Sequence, residues 1–115
     1  MAEHFPQDTE YVTIPELVER WQTTPSKLRR MVEERQLAAV RIDGVLRIPA
    51  EFVTEHEPLH SLRGTLLALQ DAGFTDDEAV AWLLNENEEL GERPIAALNA
   101  GRKSAVRRAT QSLAF

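Results

Sequence analysis

The chain has 115 residues, of which 43% are hydrophobic and 28% are charged, a composition typical of globular proteins with one domain or two very small ones. Its formal net charge of −6 argues against a protein that coats nucleic acid with its whole surface. The absence of cysteine excludes disulfides and thiolate metal sites. No membrane span or secretory signal is predicted, because long apolar runs are missing and the N-terminus is acidic.

Positive charge is concentrated in one internal segment. Residues 20–48 carry seven basic and three acidic side chains, whereas residues 49–99 carry two basic and eleven acidic ones. Residues 100–115 carry four basic side chains and no acidic one. A polyphosphate partner requires a local positive face, so the segment 20–48 is the predicted nucleic-acid surface.

Two helices are predicted around the start of this segment. Thr13 is the expected N-cap of the first helix, because a proline follows in the first turn and Glu16 completes the capping-box spacing. Thr24, also followed by proline, repeats the start signal, and the second helix is predicted to run to about Gln36. Two short helices separated by a few residues form the pattern of a helix-turn-helix.

A β-hairpin is predicted over residues 37–48. Asp43-Gly44 supplies the positive φ angles of a two-residue type I′ turn, which indicates a strand on either side. Within each strand, alternation places the apolar side chains on one face and the arginine, Arg41 or Arg47, on the other. Helix, turn, helix and hairpin in this order predict a winged helix-turn-helix, with the hairpin as the wing.

The C-terminal half is predicted to be helical and to follow a linker at residues 55–60. Helices are expected to end at Gly73 and Gly101, and Thr75 with Glu78 has the spacing of another capping box. The predicted fold class is therefore mainly α with a small β-hairpin wing. Three parts are predicted: a disordered tail at 1–9, a winged helix-turn-helix at 10–56 and a C-terminal helical domain at 57–115. The two folded parts are expected to share one core.

The second helix is the expected recognition helix, since a helix fits the DNA major groove with its N-terminal residues nearest the bases. Lys27 and Arg30 are the candidates for base edges, while Arg29 is expected at a phosphate. The alternative is a solvated helix face on which neighbouring glutamates pair with these arginines. The full predicted DNA-binding set is Thr24, Ser26, Lys27, Arg29, Arg30, Arg41 and Arg47.

Residues 13–53 resemble the winged helix of excisionase and MerR-type proteins. The hairpin of that group reads roughly L-x-A-x-R-I-x-G followed by proline, and the matching residues here are Leu37, Ala39, Arg41, Ile42, Gly44 and Pro49. From about residue 10 to 115, the chain also resembles a small actinobacterial family of winged-helix DNA-binding proteins with an added helical domain. This resemblance implies double-stranded DNA as the partner and a cytoplasmic, nucleoid-associated transcriptional regulator. The group often has glycine before the hairpin, where this chain has Arg35-Gln36.

Two features point to other chemistry. Residues 56–60 match the H-E-x-x-H pattern of zinc proteases, but Pro58 disfavours the helix which that chemistry needs. No enzymatic activity, metal or cofactor is therefore predicted. Thr9, between two acidic residues, is a candidate phosphorylation site, and a phosphate there would weaken contacts with DNA.

The C-terminal half also carries an alternative function. Residues 93–102 resemble a helix-loop-helix segment of some DNA-binding antitoxins, in which this region contacts the toxin. That resemblance implies a protein-interaction module, antitoxin-like or an adaptor, with a protein partner on the helical half. The basic residues of the last helix either extend the DNA surface or pair with the acidic body; they are Arg102, Lys103, Arg107 and Arg108.

Overall fold

A computed structural model of the chain describes residues 4–113. The elements are β1 (Tyr11–Thr13), α1 (Ile14–Trp21), α2 (Pro25–Glu33), β2 (Val40–Ile42), β3 (Val45–Pro49), a 3-10 turn (Ala50–Phe52), α3 (Leu62–Asp71), α4 (Asp76–Leu84), α5 (Pro94–Asn99) and α6 (Lys103–Gln111). This order confirms the predicted fold class, a mainly helical winged helix-turn-helix followed by a helical region. None of the helices within residues 4–113 has the length and apolar character of a membrane span.

The first two helices begin where the sequence predicts. The Thr13 hydroxyl accepts a hydrogen bond from the Glu16 amide at 3.3 Å, and the Thr13 amide donates to the Glu16 carboxylate at 3.2 Å, which completes the capping box. At the start of α2 the Thr24 hydroxyl accepts from the Lys27 amide at 3.2 Å. Between the two helices Gln22 has a left-handed conformation, with a φ angle of 53°. The first turn of α2 is therefore fixed by local interactions.

The second helix ends at Glu33, before the predicted end near Gln36. Arg35 has a left-handed conformation with a φ angle of 62°. Its amide donates to the Val32 carbonyl at 3.1 Å, and the Gln36 amide donates to the Met31 carbonyl at 2.9 Å, the two bonds of a Schellman motif. Arg35 thus ends the helix in a conformation that favours glycine, at a cost of about 1–2 kcal/mol in backbone strain.

The sheet has three strands, one more than the predicted hairpin. The central strand is β3, which pairs antiparallel with β2 on one side and with β1 on the other. Asp43 and Gly44 have φ angles of 53° and 79°, which confirms the predicted type I′ geometry. The strand β1 was missed because three residues are too few to show alternation and its partner lies far along the chain.

The strand register places the two wing arginines on opposite faces of the sheet. Arg41 lies opposite Leu46, and Arg47 lies opposite Val40, so each cation shares a face with an apolar residue of the other strand. Val40 is 1% exposed and Ile48 is 0% exposed, although they lie on different faces. The sheet is therefore covered on both sides, and Arg47 is half-buried while Arg41 is exposed.

The helical region follows its predicted local signals. The Thr75 hydroxyl accepts from the Glu78 amide at 3.2 Å, and the Thr75 amide donates to the Glu78 carboxylate at 2.8 Å, which forms the predicted capping box. Gly73 and Gly101 follow α3 and α5 with φ angles of 96° and 83°. Between the two halves, Ala50–Phe52 forms only a 3-10 turn, because Val53 returns to an extended conformation.

A single hydrophobic cluster joins the two halves of the chain. Direct bonds also connect them, since the Leu59 amide donates to the Phe52 carbonyl at 2.8 Å. Arg93 makes two hydrogen bonds of 2.7 Å to the Glu51 carboxylate. The side chains of the cluster with 0% exposure include Leu17, Leu28, Ile48 and Phe52 from the first half and Leu62, Leu83, Ile95 and Val106 from the second.

Candidate nucleic-acid interface

Three cationic side chains lie around the solvent-exposed part of α2. Lys27, Arg29 and Arg30 are all exposed. On the opposite side of the helix Leu28 is 0% exposed and packs in the core, and Met31 is half-buried against the same cluster. The apolar side thus fixes the rotation of α2, and the cations point away from the body of the protein.

These α2 cations have no acidic partner among the described residues. Within residues 4–113, no carboxylate lies in ion-pair distance of Lys27, Arg29 or Arg30. The local pairing of arginines with Glu33 or Glu34, the alternative weighed from the sequence, is thus not observed. None of these three cations is therefore held in a direct ion pair within the described part of the molecule.

The remaining α2 candidates lie in its first turn. Thr24 is the N-cap residue, and its hydroxyl is occupied by the hydrogen bond from the Lys27 amide. Ser26 is exposed beside it. The structure therefore brings five of the seven predicted DNA-binding residues together on one short helix. Their contact with DNA remains a prediction.

The two wing candidates differ in their surroundings. Arg41 is exposed, and its Nη1 donates to the Gly44 carbonyl at 3.2 Å, so the side chain bends back over the turn. Arg47 is half-buried, and its Nε has no hydrogen-bond partner among the described residues. Burial raises the pKa of the neighbouring Tyr11, and the positive charge of Arg47 opposes that shift. Arg41 is thus the more accessible of the two.

Sequence reasoning missed three residues near this surface. Val45, next to the wing turn, is 44% exposed, unusually high for a large hydrophobic side chain in the described residues. Arg63 of α3 donates from its Nε to the Glu34 carbonyl at 3.1 Å. Asp76 pairs with Arg35 at 3.4 Å. The last two contacts tie the end of α2 to the C-terminal half, and no local sequence pattern reveals such distant partners.

The structure also places the H-E-x-x-H residues and Thr9, the two features that pointed to other chemistry. Residues 54–61 contain no helix, and the Thr54 hydroxyl donates to the Glu57 carbonyl at 2.8 Å within a turn. The H-E-x-x-H residues therefore lack the helical geometry of a zinc protease. Within residues 4–113, no three His, Asp or Glu side chains are grouped as metal ligands. The Thr9 hydroxyl is buried and has no hydrogen-bond partner among the described residues, and its phosphorylation remains a prediction.

The cations of the last helix divide between the two predicted alternatives. Arg102 pairs with Glu92 of the acidic body. Lys103, Arg107 and Arg108 are exposed, and none of the three has an ion pair within the described range 4–113. One of the four cations is therefore paired with an acidic side chain, and the other three are not paired within that range.

A helix-turn-helix with an exposed cationic second helix, followed by an antiparallel wing, defines a winged helix-turn-helix protein, here with an added helical region. A sequence profile described as "DNA-binding protein Rv2175c, wHTH domain" matches residues 2–53, and one described as "Rv2175c C-terminal domain of unknown function" matches residues 59–114. The chain belongs to the Rv2175c family, which confirms the family resemblance found in the sequence.

Individual relatives agree with this assignment. The chain is 30% identical to the DNA-binding protein Rv2175c of Mycobacterium tuberculosis (strain ATCC 25618 / H37Rv), over 89% of this chain and 79% of the relative. The NMR structure of Rv2175c superposes with a TM-score of 0.86 at 29% identity, and the match covers 96% of this chain and 85% of that chain. The similarity therefore extends through both halves of the molecule.

Proposed function

We propose that this protein binds double-stranded DNA and acts as a transcriptional regulator, with α2 in the major groove and the wing on the backbone. The observation that carries the proposal is the group of three exposed α2 cations that have no ion pair within residues 4–113. Membership of a family whose relative is named a DNA-binding protein supports it. The location that corresponds to this function is the cytoplasm, where the protein would be associated with the nucleoid.

Within this proposal the α2 residues have different roles. Lys27 and Arg30 are three residues apart and therefore lie on the same side of the helix, one turn from each other. Both can reach base edges when α2 enters a major groove of about 12 Å width. Arg29 lies to one side of this row and is assigned to a phosphate, which fixes the position of the protein without reading sequence. Ser26 and the Thr24 cap lie at the helix start, nearest the groove floor.

The wing contributes backbone contacts. Arg41 and Arg47 occupy opposite faces of the sheet, so both reach phosphates only if the wing meets the DNA with its edge. Asp43 at the turn is repelled by phosphate, which argues against deep insertion of the tip into a minor groove. We therefore assign Arg41 to a flanking phosphate and Arg47 to a weaker contact restrained by its half-buried stem.

The alternative function, a protein-interaction module in the C-terminal half, has less support. Interfaces between proteins are built around buried apolar or aromatic anchors. Within residues 59–113, no large hydrophobic side chain is exposed. The exposed surface of this half is polar and charged, which favours contact with charged ligands over an apolar protein interface.

The test is a fluorescence-anisotropy titration of labelled mixed-sequence duplex DNA at several salt concentrations. We expect the logarithm of affinity to fall with the logarithm of salt at a slope of about −3 to −5, since each neutralised phosphate contributes about −0.9. The Arg30→Gln/Arg41→Gln double variant should lose this binding. The matched control is Arg102→Gln, which removes an exposed arginine already paired with Glu92 and should bind like the wild type.

Two results would contradict the proposal in different ways. Equal weak binding by the wild type and the double variant would exclude α2 and the wing as the DNA surface. Selection from a pool of randomised duplexes tests the regulatory role. An enriched motif is expected, whereas steep salt dependence without any enriched motif would exclude sequence-specific regulation and leave a general DNA-binding protein.

A further inference from the structure

A cationic cleft lies between α3 and α6, on the C-terminal half and outside the residues assigned to DNA. It has a volume of about 210 Å³, below the roughly 300–1,000 Å³ typical of pockets for drug-sized ligands. The size of the cleft therefore suits a small chemical group. Its walls include His60, Gly64 and Thr65 on the α3 side and Lys103, Arg107 and Thr110 on α6.

The charges of this cleft are all of one sign. Within residues 4–113, no acidic side chain lines the cleft, and neither Lys103 nor Arg107 takes part in an ion pair. The two cations are four residues apart on α6, a spacing at which like charges repel each other and weaken a helix. Lys103 is also the first residue of α6, where the helix dipole disfavours a positive charge. An anion between them would offset both effects.

Gly64 keeps the α3 side of the cleft open. It lies inside α3, where glycine lowers helix stability relative to alanine. A Cβ atom built at this position would meet no heavy atom within 4 Å. Packing therefore does not require glycine here, and any larger side chain would extend from α3 into the space that the cleft leaves open.

The two threonine hydroxyl groups of the cleft walls are already used. The Thr110 hydroxyl donates to the Arg107 carbonyl at 2.7 Å, and the Thr65 hydroxyl donates to the Ser61 carbonyl at 3.4 Å. Anion recognition is thus left to the side chains of Lys103 and Arg107, with the Ser61 hydroxyl and the ring N–H of His60 as further donors.

We propose that this cleft binds a phosphate group through Lys103 and Arg107. Guanidinium and ammonium groups are the side chains that proteins use for phosphate, through charge-assisted hydrogen bonds. The phosphate group belongs either to the backbone of a bound duplex or to a free phosphate-bearing molecule, and the recognition chemistry is the same for both. The proposal does not depend on the DNA-binding role of α2.

The first test is an NMR titration of the full chain with inorganic phosphate, with a parallel sodium chloride titration at matched ionic strength. We expect saturable amide shifts centred on Gly64, Thr65, Lys103 and Arg107 with phosphate alone. The Lys103→Gln/Arg107→Gln double variant should bind phosphate roughly tenfold more weakly or not at all, since charge-assisted bonds are lost. Equal shifts with chloride, or unchanged phosphate affinity in the double variant, would overturn the proposal.

Substitutions at Gly64 test the geometry of the cleft without removing a cation. Gly64→Ala should bind phosphate like the wild type and unfold at a higher temperature, because alanine favours the helix. Gly64→Glu places a carboxylate in the same open space, where it pairs with the cations and should abolish phosphate binding. Wild-type phosphate affinity in Gly64→Glu would show that the phosphate lies elsewhere and would reject the site.

The source of the phosphate group is determined by DNA binding in the Lys103→Gln/Arg107→Gln double variant. If the group is a backbone phosphate, the salt slope of duplex binding should fall in magnitude by about 1 for each lost contact. If the slope is unchanged while phosphate binding is lost, the cleft serves a free phosphate-bearing molecule. A double variant that keeps both its phosphate affinity and its salt slope overturns the proposal.

Discussion

The exposed face of α2 and the segment around α5 use their arginines differently. In the winged helix, Arg29 and Arg30 are exposed and have no acidic partner within residues 4–113. In the C-terminal half, Arg93 is bound by both oxygens of the Glu51 carboxylate, and Arg102 pairs with Glu92. Exposure alone therefore does not identify a binding surface, since Arg102 is also exposed. Exposure without an internal partner is the property that separates the proposed DNA surface from the charges that hold the fold together.

The largest expected effect is a loss of folding stability, and it tests whether the two halves fold as separate units. Phe52, which is 0% exposed in the common core, lies at the junction between them, and Phe52→Ala should lower the free energy of unfolding by about 3–5 kcal/mol. Urea denaturation followed by tryptophan fluorescence measures this loss. Because the core is continuous, both halves should lose stability together.

The two tryptophans allow each half to be followed alone. Trp21 lies in α1 and Trp82 lies in α4, so Trp82→Phe leaves a probe in the first half and Trp21→Phe leaves one in the second. Coincident transitions in the two backgrounds are expected for one cooperative unit. Separate transitions would instead support two independent domains at the predicted limits, 10–56 and 57–115.

Local signals predicted much of the fold, and long-range pairing accounts for what was missed. Both capping boxes and the type I′ turn depend on residues within four positions of each other, so their sequence patterns were sufficient. The strand β1 depends on pairing with Ile48 and its neighbours. The placement of Arg41 and Arg47 on opposite faces of the sheet depends on the strand register. Alternation within a single strand does not determine that register.

In the candidate site too, local patterns were predictable from the sequence and long-range contacts were not. The cationic face of α2 follows from the helical period, which puts Leu28 in the core and the cations outside. Sequence reasoning could not find that Arg63 and Asp76 hold the end of α2, because these residues come from another part of the chain. It also could not distinguish the half-buried Arg47 from the exposed Arg41, since both follow the same pattern.

The next largest effect should separate base contacts from phosphate contacts within α2. Arg30→Gln is expected to cost about 1–3 kcal/mol of binding free energy on the preferred sequence and to relax specificity there. Arg29→Gln should weaken binding by a similar factor on every sequence and reduce the salt slope by about 1. Anisotropy titrations on preferred and scrambled duplexes measure both quantities. If the two variants give the same specificity ratio, the assignment of Arg30 to a base is wrong.

A smaller effect is expected on stability when the paired arginine Arg93 is substituted. The Arg93–Glu51 pair has bidentate geometry, but its side chains are 37% and 39% exposed, so solvent screening limits its contribution to about 1 kcal/mol. A double-mutant cycle with Arg93→Gln and Glu51→Gln in urea denaturation gives the coupling energy. DNA affinity should not change in either single variant. A coupling energy near zero would show that this pair, like many surface pairs, adds nothing to stability.

The smallest effect concerns Arg47, which is half-buried like Arg93 but, like the α2 cations, has no ion pair within residues 4–113. Burial raises the pKa of Tyr11 beside it, and the charge of Arg47 opposes that rise. The folded state therefore holds the phenol proton more tightly than the unfolded chain, whose tyrosine titrates at about 10. The resulting stabilisation is complete below the unfolded pKa and is lost as pH rises through the folded pKa.

Tyr11 is the only tyrosine in the sequence, so tyrosinate absorbance reports its titration directly. The pKa of Tyr11 should lie above the ordinary value, and Arg47→Gln should raise it further, because the positive charge that favours phenolate is removed. Tyr11→Phe, compared with the wild type in urea at increasing pH, isolates the contribution of this group to stability. If Arg47→Gln leaves the Tyr11 titration unchanged, the guanidinium does not act on the phenol.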